Sequence, residues 1–287
     1  MRILDDFAVT VALACCRAFT PLAAAAYMAI DATYNGGLVR VRLGHCKNGS
    51  WRALCAIWET RFARETINSA LRLGMDDAVL RRVALRDGVE PPTRCILAIC
   101  HTPWGRVLAR WNAARTGVFI NAAPRWEARS GGLRIGGGVS GLRQIMREVE
   151  RGGRVAVVVD CFSYGDGIAT RFLNESIRVT AGAARIAAAA GVPLILTTVR
   201  YHRGSIRVSF GQRLDPRELG VAEATRRIVR EFASSVWADP SIWDGIIKHA
   251  RRSPSMDRRR TSLNRHADDG YWNGMRTSPE KVPRRTI

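Results

Sequence analysis

A chain of 287 residues can form one large domain or two small ones around a hydrophobic core of ordinary size. Its apolar content of 47% and charged content of 24% exclude an intrinsically disordered protein. The formal net charge is +20 at pH 7, and arginine supplies most of the positive charge. Because arginine pairs with phosphate and carboxylate groups, nucleic acid, an anionic membrane surface and a phosphate-bearing substrate are all compatible partners.

The cysteines indicate a reducing environment. There are seven, an odd number, and none forms a C-x-x-C pair. Cys95 and Cys100 fall in a candidate buried strand, and Cys15 and Cys16 fall in an apolar segment. This usage predicts reduced thiols in a protein that faces the cytosol, rather than a disulfide framework. No histidine and cysteine grouping has the spacing of a zinc site, so we expect no metal.

The most apolar stretch of the chain lies near its N terminus and is divided by Arg17 and Pro21. A membrane-spanning helix needs about 20 apolar residues without charge. The stretch is therefore compatible with an interfacial or re-entrant helix, which we prefer, with a buried core helix, or with a true span. Asp5 and Asp6 stand where a signal peptide carries positive charge, which argues against secretion. We predict an apolar membrane-associating helix over residues 1–32.

Helical and strand patterns then alternate along the chain. Amphipathic periodicity predicts helices over residues 50–73, 76–86, 107–115, 140–150, 180–190 and 216–237. Apolar runs predict buried strands over residues 95–100, 117–121, 155–159 and 194–200, and alternation predicts an edge strand over residues 205–210. The predicted fold class is α/β, with a mixed, partly parallel central sheet flanked by helices and an N-terminal apolar anchor helix. We expect this α/β domain to cover residues 33–250.

The composition changes from about Arg251 onward. Arginine, serine, proline and asparagine become frequent, and few apolar residues remain. This composition predicts a basic disordered tail over residues 251–287. A basic tail is compatible with nucleic-acid binding, but base stacking needs aromatic side chains, and only Tyr271 and Trp272 lie in this segment.

The most informative candidate for a catalytic residue is His101, which follows the predicted strand that ends at Cys100. Pro103 and Gly105 then break the preceding pairing. A histidine in this position lies at the carboxyl end of a strand, where open α/β sheets usually place their active sites. Because imidazole titrates near neutrality, His101 is a candidate general base. The alternative is a histidine that only satisfies its hydrogen bonds at a strand end.

A catalytic histidine needs a carboxylate that orients its ring and stabilises the imidazolium. Asp160, which ends the predicted strand at residues 155–159, is one candidate, and Glu127 is another. The alternative role for Asp160 is to cap a turn. The stretch from Arg125 to Arg143 is rich in glycine and arginine and can supply backbone donors and guanidinium groups to a phosphate. Its glycines do not form a nucleotide-binding motif.

Several segments together resemble a known family. They are the strand that ends in His101, the segments Leu142–Asp160, Thr170–Asn174 and Val179–Leu196, and Asp239–Trp243 after the last helix. In this order they resemble the bacterial lipid A late acyltransferase family, which belongs to the lysophospholipid acyltransferase superfamily. The resemblance covers about residues 5–249 and lies in the order of the elements more than in residue identities.

The resemblance implies a membrane-associated acyltransferase of lipid biosynthesis, acting at the cytoplasmic face of the bacterial inner membrane. It would move a fatty acyl group from acyl-ACP or acyl-CoA to a lipid or glycolipid hydroxyl, such as one on lipid A, without a cofactor. The implied catalytic residues are His101 and Asp160, and the implied substrate-binding residues are Arg106, Arg125, Arg129 and Thr180. The implied partners are acyl-carrier protein or a CoA thioester and an anionic membrane lipid, with no specific nucleic acid, and the chain is expected to be a monomer.

One residue departs from the family pattern. The family carries His-x4-Glu or His-x4-Asp, whereas the corresponding position here is Arg106. A guanidinium beside an imidazole disfavours the protonated ring, which is the opposite of what the family's acid does. Two further hypotheses therefore stand beside the enzyme: a catalytically degenerate relative that binds acyl lipid, and a nucleic-acid-binding protein suggested by the charge and the tail.

Overall fold

A computed structural model describes residues 2–35, 43, 49–85, 90–113, 117–119, 138–159, 167–173 and 175–246. The helices are α1 (Arg2–Asn35), α2 (Gly49–Arg72), α3 (Asp76–Leu80), α4 (Gly105–Ala113), α5 (Gly138–Glu150), α6 (Gly182–Ala190), α7 (Pro216–Leu219) and α8 (Val221–Ala238), followed by a 3-10 turn at Pro240–Ile242. The strands are β1 (Val83–Leu85), β2 (Cys95–Ile99), β3 (Gly117–Phe119), β4 (Arg154–Val158), β5 (Ile168–Phe172), β6 (Glu175–Val179), β7 (Leu194–His202) and β8 (Ser205–Leu214).

The central sheet has six strands in the order β1-β8-β7-β2-β4-β3. Strand β2 pairs in parallel with β4 on one side and with β7 on the other. Strands β3 and β4 are also parallel, as are β1 and β8, whereas β7 and β8 form an antiparallel hairpin. Strands β5 and β6 form a separate two-stranded antiparallel sheet. The mixed, partly parallel sheet flanked by helices confirms the predicted α/β class.

Strand β2 lies at the centre of the packing. Each of its residues is at most 1% exposed. Because successive side chains of a strand point to opposite faces, such a strand needs a covering layer on both sides. Ile96 and Ala98 enter one hydrophobic cluster, with side chains from α6 and α8. Leu97 and Ile99 enter the other, with side chains from α2 and α4.

Two predicted elements are wrong. The helix predicted over residues 76–86 ends at Leu80, and Val83 starts β1, which pairs in parallel with β8 at Ile206. This pairing covers the outer side of β8, so the edge strand predicted over residues 205–210 is an interior strand of the described sheet. Local periodicity gave the wrong prediction in both places for one reason. The partner of β8 is a short segment far away in the sequence, and only tertiary pairing makes that segment a strand.

Helix α1 continues through Pro21 and packs along α2. One of its faces is buried, at Val9, Leu13, Ala24 and Tyr27. The opposite face exposes large apolar side chains of Ile3, Leu4, Phe7, Val11, Phe19, Leu22 and Ile30. Within the described ranges, α1 is the helix whose length and composition would allow it to cross a membrane, over Ile3–Thr33 at a mean hydropathy of 1.7. The helix is therefore apolar on the face that packs and also on the face that does not.

The β5–β6 hairpin, which the sequence did not predict, is fastened to α8 by aromatic packing. The ring of Phe172 stacks on Phe232 at 5.4 Å and meets the edge of Trp243 at 5.0 Å. Phe172 is 1% exposed. This cluster therefore joins the hairpin, the last long helix and the segment that follows that helix.

We predict that Phe172→Ala lowers the free energy of unfolding by about 3–5 kcal/mol, because it removes a buried ring and leaves a cavity between Phe232 and Trp243. Urea unfolding of the full chain, followed by circular dichroism, measures the change. Leu142→Ala, at an exposed position on α5, is the control and should change stability by about 0.5 kcal/mol or less. A loss of stability in Phe172→Ala no larger than in this control would contradict the packing described here.

Candidate active site

His101 lies at the carboxyl end of β2, as predicted, separated from Ile99 by the buried Cys100, and is exposed. The chain then turns, with the Trp104 backbone N–H donating to Thr102 Oγ1 at 3.3 Å and the Gly105 N–H donating to the Thr102 carbonyl at 3.3 Å. Trp104 is buried and stacks on Tyr201 of β7, with ring centroids 5.5 Å apart. A buried tryptophan thus fixes the turn just beyond His101, while the histidine itself stays accessible.

Strands β2 and β4 end together just before His101, and β7 runs parallel beside β2 and continues to His202. Ile99 of β2 stands opposite Val158 of β4 and Thr197 of β7. The backbone N–H of Val159 donates to the Ile99 carbonyl at 2.8 Å, which continues the β2–β4 pairing to the end of the strand. His101 therefore lies at the sheet edge where α/β proteins commonly bind their substrates.

A carboxylate that sequence reasoning missed reaches the same edge. The backbone N–H of Asp244 donates to the His101 carbonyl at 2.9 Å. The carboxylate oxygens of Asp244 lie 3.1 and 3.4 Å from Nη1 of Arg64, which belongs to α2. Trp243 is 4% exposed and anchors the chain just before Asp244. The fold thus holds Asp244 beside His101 through its backbone on one side and its side chain on the other.

The motif before Asp244 has a structural role. Asp239 caps the 3-10 turn by accepting hydrogen bonds from the Ser241 backbone N–H at 3.1 Å and from Ser241 Oγ at 2.6 Å. Its other carboxylate oxygen lies 2.8 Å from Nε of Arg200, in β7. The segment Asp239–Trp243, noted in the sequence as a closing motif, therefore fastens the chain to β7 just before it returns to His101. Asp244 is the next residue, and its position directly after this motif was the only sequence signal that could have pointed to it.

The predicted site residues divide into two groups. Arg106 is exposed in the first turn of α4, and Thr180 is exposed just before α6. Their predicted roles in substrate binding stay predictions. Asp160, Arg125 and Arg129, together with the alternative acid Glu127, lie outside the described residues.

Burial also changes the chemistry of two ionisable side chains on β7 and β2. Burial raises the pKa of the Tyr201 hydroxyl above its ordinary value of 10.0, and the carboxylate of Glu59 raises it further. Burial raises the pKa of the Cys95 thiol at the start of β2 to about 11. Both groups are therefore neutral at pH 7, and neither is an activated nucleophile.

Comparison with known proteins gives a likeness to solved structures but not to known sequences. The sequence matches no protein-family model, and no curated protein is significantly similar to it. Among solved structures, it aligns with the 1-acyl-sn-glycerophosphate acyltransferase PlsC from Thermotoga maritima, at 14% sequence identity and a TM-score of 0.36. The alignment covers 82% of this chain and 97% of that chain. The resemblance to the lipid A late acyltransferase family stays a prediction from the sequence.

We predict that the amide hydrogen of Asp244 exchanges slowly with solvent in the native protein, and that Asp239→Ala accelerates its exchange about tenfold or more. The substitution removes the cap and the Arg200 ion pair that fasten this segment, and a loss of about 1.4 kcal/mol in local stability corresponds to a tenfold change. Hydrogen exchange read by NMR measures the rate. Asp215→Ala, which removes the side-chain cap of α7, should leave the Asp244 rate unchanged, and equal acceleration in both variants would contradict the specific link.

Proposed function

We propose that this protein is a membrane-associated acyltransferase that moves a fatty acyl group from acyl-ACP or acyl-CoA to a lipid or glycolipid hydroxyl. The observation that carries the proposal is the position of His101. It is exposed at the carboxyl end of β2, and Asp244 is tied to its carbonyl. The order of sequence motifs resembles that of the lipid A late acyltransferases, and this resemblance supports acyl transfer as the reaction class.

In this mechanism His101 accepts the proton of the acceptor hydroxyl as the oxygen attacks the thioester carbonyl. The attack forms a tetrahedral intermediate with a new C–O bond. When the intermediate collapses, the C–S bond breaks and the C–O bond of the ester remains. The imidazolium returns the proton to the departing thiolate, and the products are an ester and a free thiol. No redox change occurs, and the histidine ends in its starting state.

The imidazolium that forms during this step needs a neighbouring carboxylate. We propose Asp244 as a positioning residue for His101, because its backbone contacts the histidine and Arg64 restrains its carboxylate. Asp160 remains a second candidate, as predicted from the sequence. Strand β4, which precedes Asp160, is one of the two parallel neighbours of β2.

The exposed apolar face of α1 supports association with a membrane. Phe7, Phe19 and Leu22 are each more than 60% exposed on a helix whose other face is already packed. A helix of this kind can lie with its apolar face among the acyl chains of one leaflet. The net charge of +20 favours an anionic surface, such as the cytoplasmic face of the bacterial inner membrane.

Arg106 favours a second candidate function, a binder of acyl lipid that does not catalyse. Its guanidinium occupies the position at which the resembled family places an acid, and it is exposed beside the strand end. If this is the function, the purified protein binds an acyl thioester or lipid without releasing thiol. Transfer that appears only in Arg106→Glu would then identify the natural protein as a binder.

We predict that His101→Ala lowers acyl transfer by about 100-fold to 10,000-fold, because it removes the general base. The assay combines the purified full chain, a long-chain acyl-CoA or acyl-ACP, and vesicles of a bacterial lipid extract. Thiol release and mass spectrometry of the lipids report the reaction. Arg151→Gln, at an exposed position after α5, is the control and should retain the wild-type rate, whereas an undiminished rate in His101→Ala would refute the assignment.

A further inference from the structure

Arg64, in the second half of α2, joins two carboxylates beside the proposed base. Its Nη1 lies 3.1 and 3.4 Å from the two carboxylate oxygens of Asp244. Its Nε and Nη2 lie 3.0 and 2.9 Å from Oε1 of Glu65. Because the guanidinium is planar, the contact with Glu65 on one side fixes the direction in which the other side points. That direction is toward Asp244, whose backbone N–H bonds to the His101 carbonyl.

The backbone that carries Arg64 is held firmly. Ala63 and Ile67 are each 1% exposed and belong to the hydrophobic cluster that includes side chains of α1. Helix α2 also packs against the 3-10 turn Pro240–Ile242, and side chains of both line a polar cavity of about 710 Å³ that extends to the end of β7. Arg64 therefore reaches Asp244 from a fixed position, which is what a positioning contact requires.

The charges of these three side chains do not cancel. Arg64 carries one positive charge, whereas Asp244 and Glu65 carry two negative charges, so the cluster has an excess of one negative charge at neutral pH. The side chains are 30%, 37% and 60% exposed, respectively, so solvent partly screens their fields. Without the guanidinium, the excess would be two negative charges. Since negative charge favours a protonated imidazole, Arg64 acts to keep His101 neutral.

A general base has two opposing needs from its neighbouring acid. The carboxylate must stabilise the imidazolium that forms during the reaction, but a ring that is already protonated cannot accept a proton. A carboxylate that is shared with an arginine meets both needs, because it is oriented while part of its charge is offset. The other charged groups around this edge are Arg106, in the first turn of α4, and Asp160, which lies outside the described residues.

We propose that Arg64 is a positioning residue for the proposed base, which orients the Asp244 carboxylate and offsets part of its charge, so that His101 is neutral when the acceptor hydroxyl arrives. Glu65 assists by orienting Arg64. The arrangement supplies from two distant segments what the resembled family supplies from one motif, in which Arg106 stands here. This inference rests on the proposed function, because it assigns a role at the same site.

The titration of His101, followed by NMR of the full chain, tests the electrostatic link without any substrate. We expect Arg64→Gln to move the midpoint to higher pH by about 0.5, because it removes a positive charge beside Asp244. Glu65→Gln should move the midpoint to lower pH, because it leaves the Arg64 charge to Asp244 alone. Arg64→Lys keeps the charge but not the planar fork, so its midpoint should stay near that of the wild type.

The pH dependence of acyl transfer separates a positioning role from a merely structural one. We expect Arg64→Gln to lower kcat at every pH, because the acid is less well oriented. We also expect it to lower kcat/KM about threefold more at pH 6 than at pH 9, since a higher midpoint reduces the neutral fraction of His101 in acid only. Arg64→Lys should remove this extra loss at pH 6.

The control is Arg185→Gln, which removes the same charge at an exposed position on α6. It should leave the His101 midpoint and the rates unchanged, and circular dichroism checks that every variant is folded. A midpoint that does not move in Arg64→Gln and Glu65→Gln, or that moves in the same direction in both, would overturn the proposal. Opposite shifts in a protein that transfers no acyl group would instead refute the proposed function and leave the link between Arg64 and His101 standing.

Discussion

The burial of β2 on both faces is the constraint on which the rest of the structure depends. A five-residue strand with no exposed side chain must be paired on both edges and covered on both faces. Its parallel partners β4 and β7 satisfy the edges, and two hydrophobic clusters cover the faces. Since all three strands run in the same direction, their carboxyl ends point to the same edge of the sheet, and His101 lies there at the end of β2.

The second constraint is the return of the chain to that edge after α8. Asp239 fastens the turn to β7 through Arg200, the buried Trp243 holds the segment against Phe172, and Asp244 then bonds to His101. One fastened segment thus brings the backbone of Asp244 to the proposed base, while the Asp244 carboxylate contacts Arg64.

Local patterns in the sequence predicted the buried strand, the histidine at its end and the α/β class, because each depends on apolar runs or periodicity within one segment. The sequence could not predict the parallel partner of β8, the position of Asp244 or the cavity between α2 and the end of β7, since these depend on contacts between distant segments. The sequence around Val83 has a helical pattern, and only its pairing with Ile206 makes it a strand. Asp244 follows a recognisable motif, but that motif does not indicate that Asp244 contacts His101. Asp160, Arg125 and Arg129 lie outside the described residues, so their roles remain predictions.

A double-mutant cycle on His101 and Asp244 tests the central claim most directly. Acyl transfer would be measured as kcat/KM for the wild type, His101→Ala, Asp244→Asn and the double variant. If Asp244 acts through His101, Asp244→Asn slows the wild type but has no further effect once the histidine is gone, because residues that act as a unit are not additive. Equal slowing by Asp244→Asn with and without His101 would contradict the account.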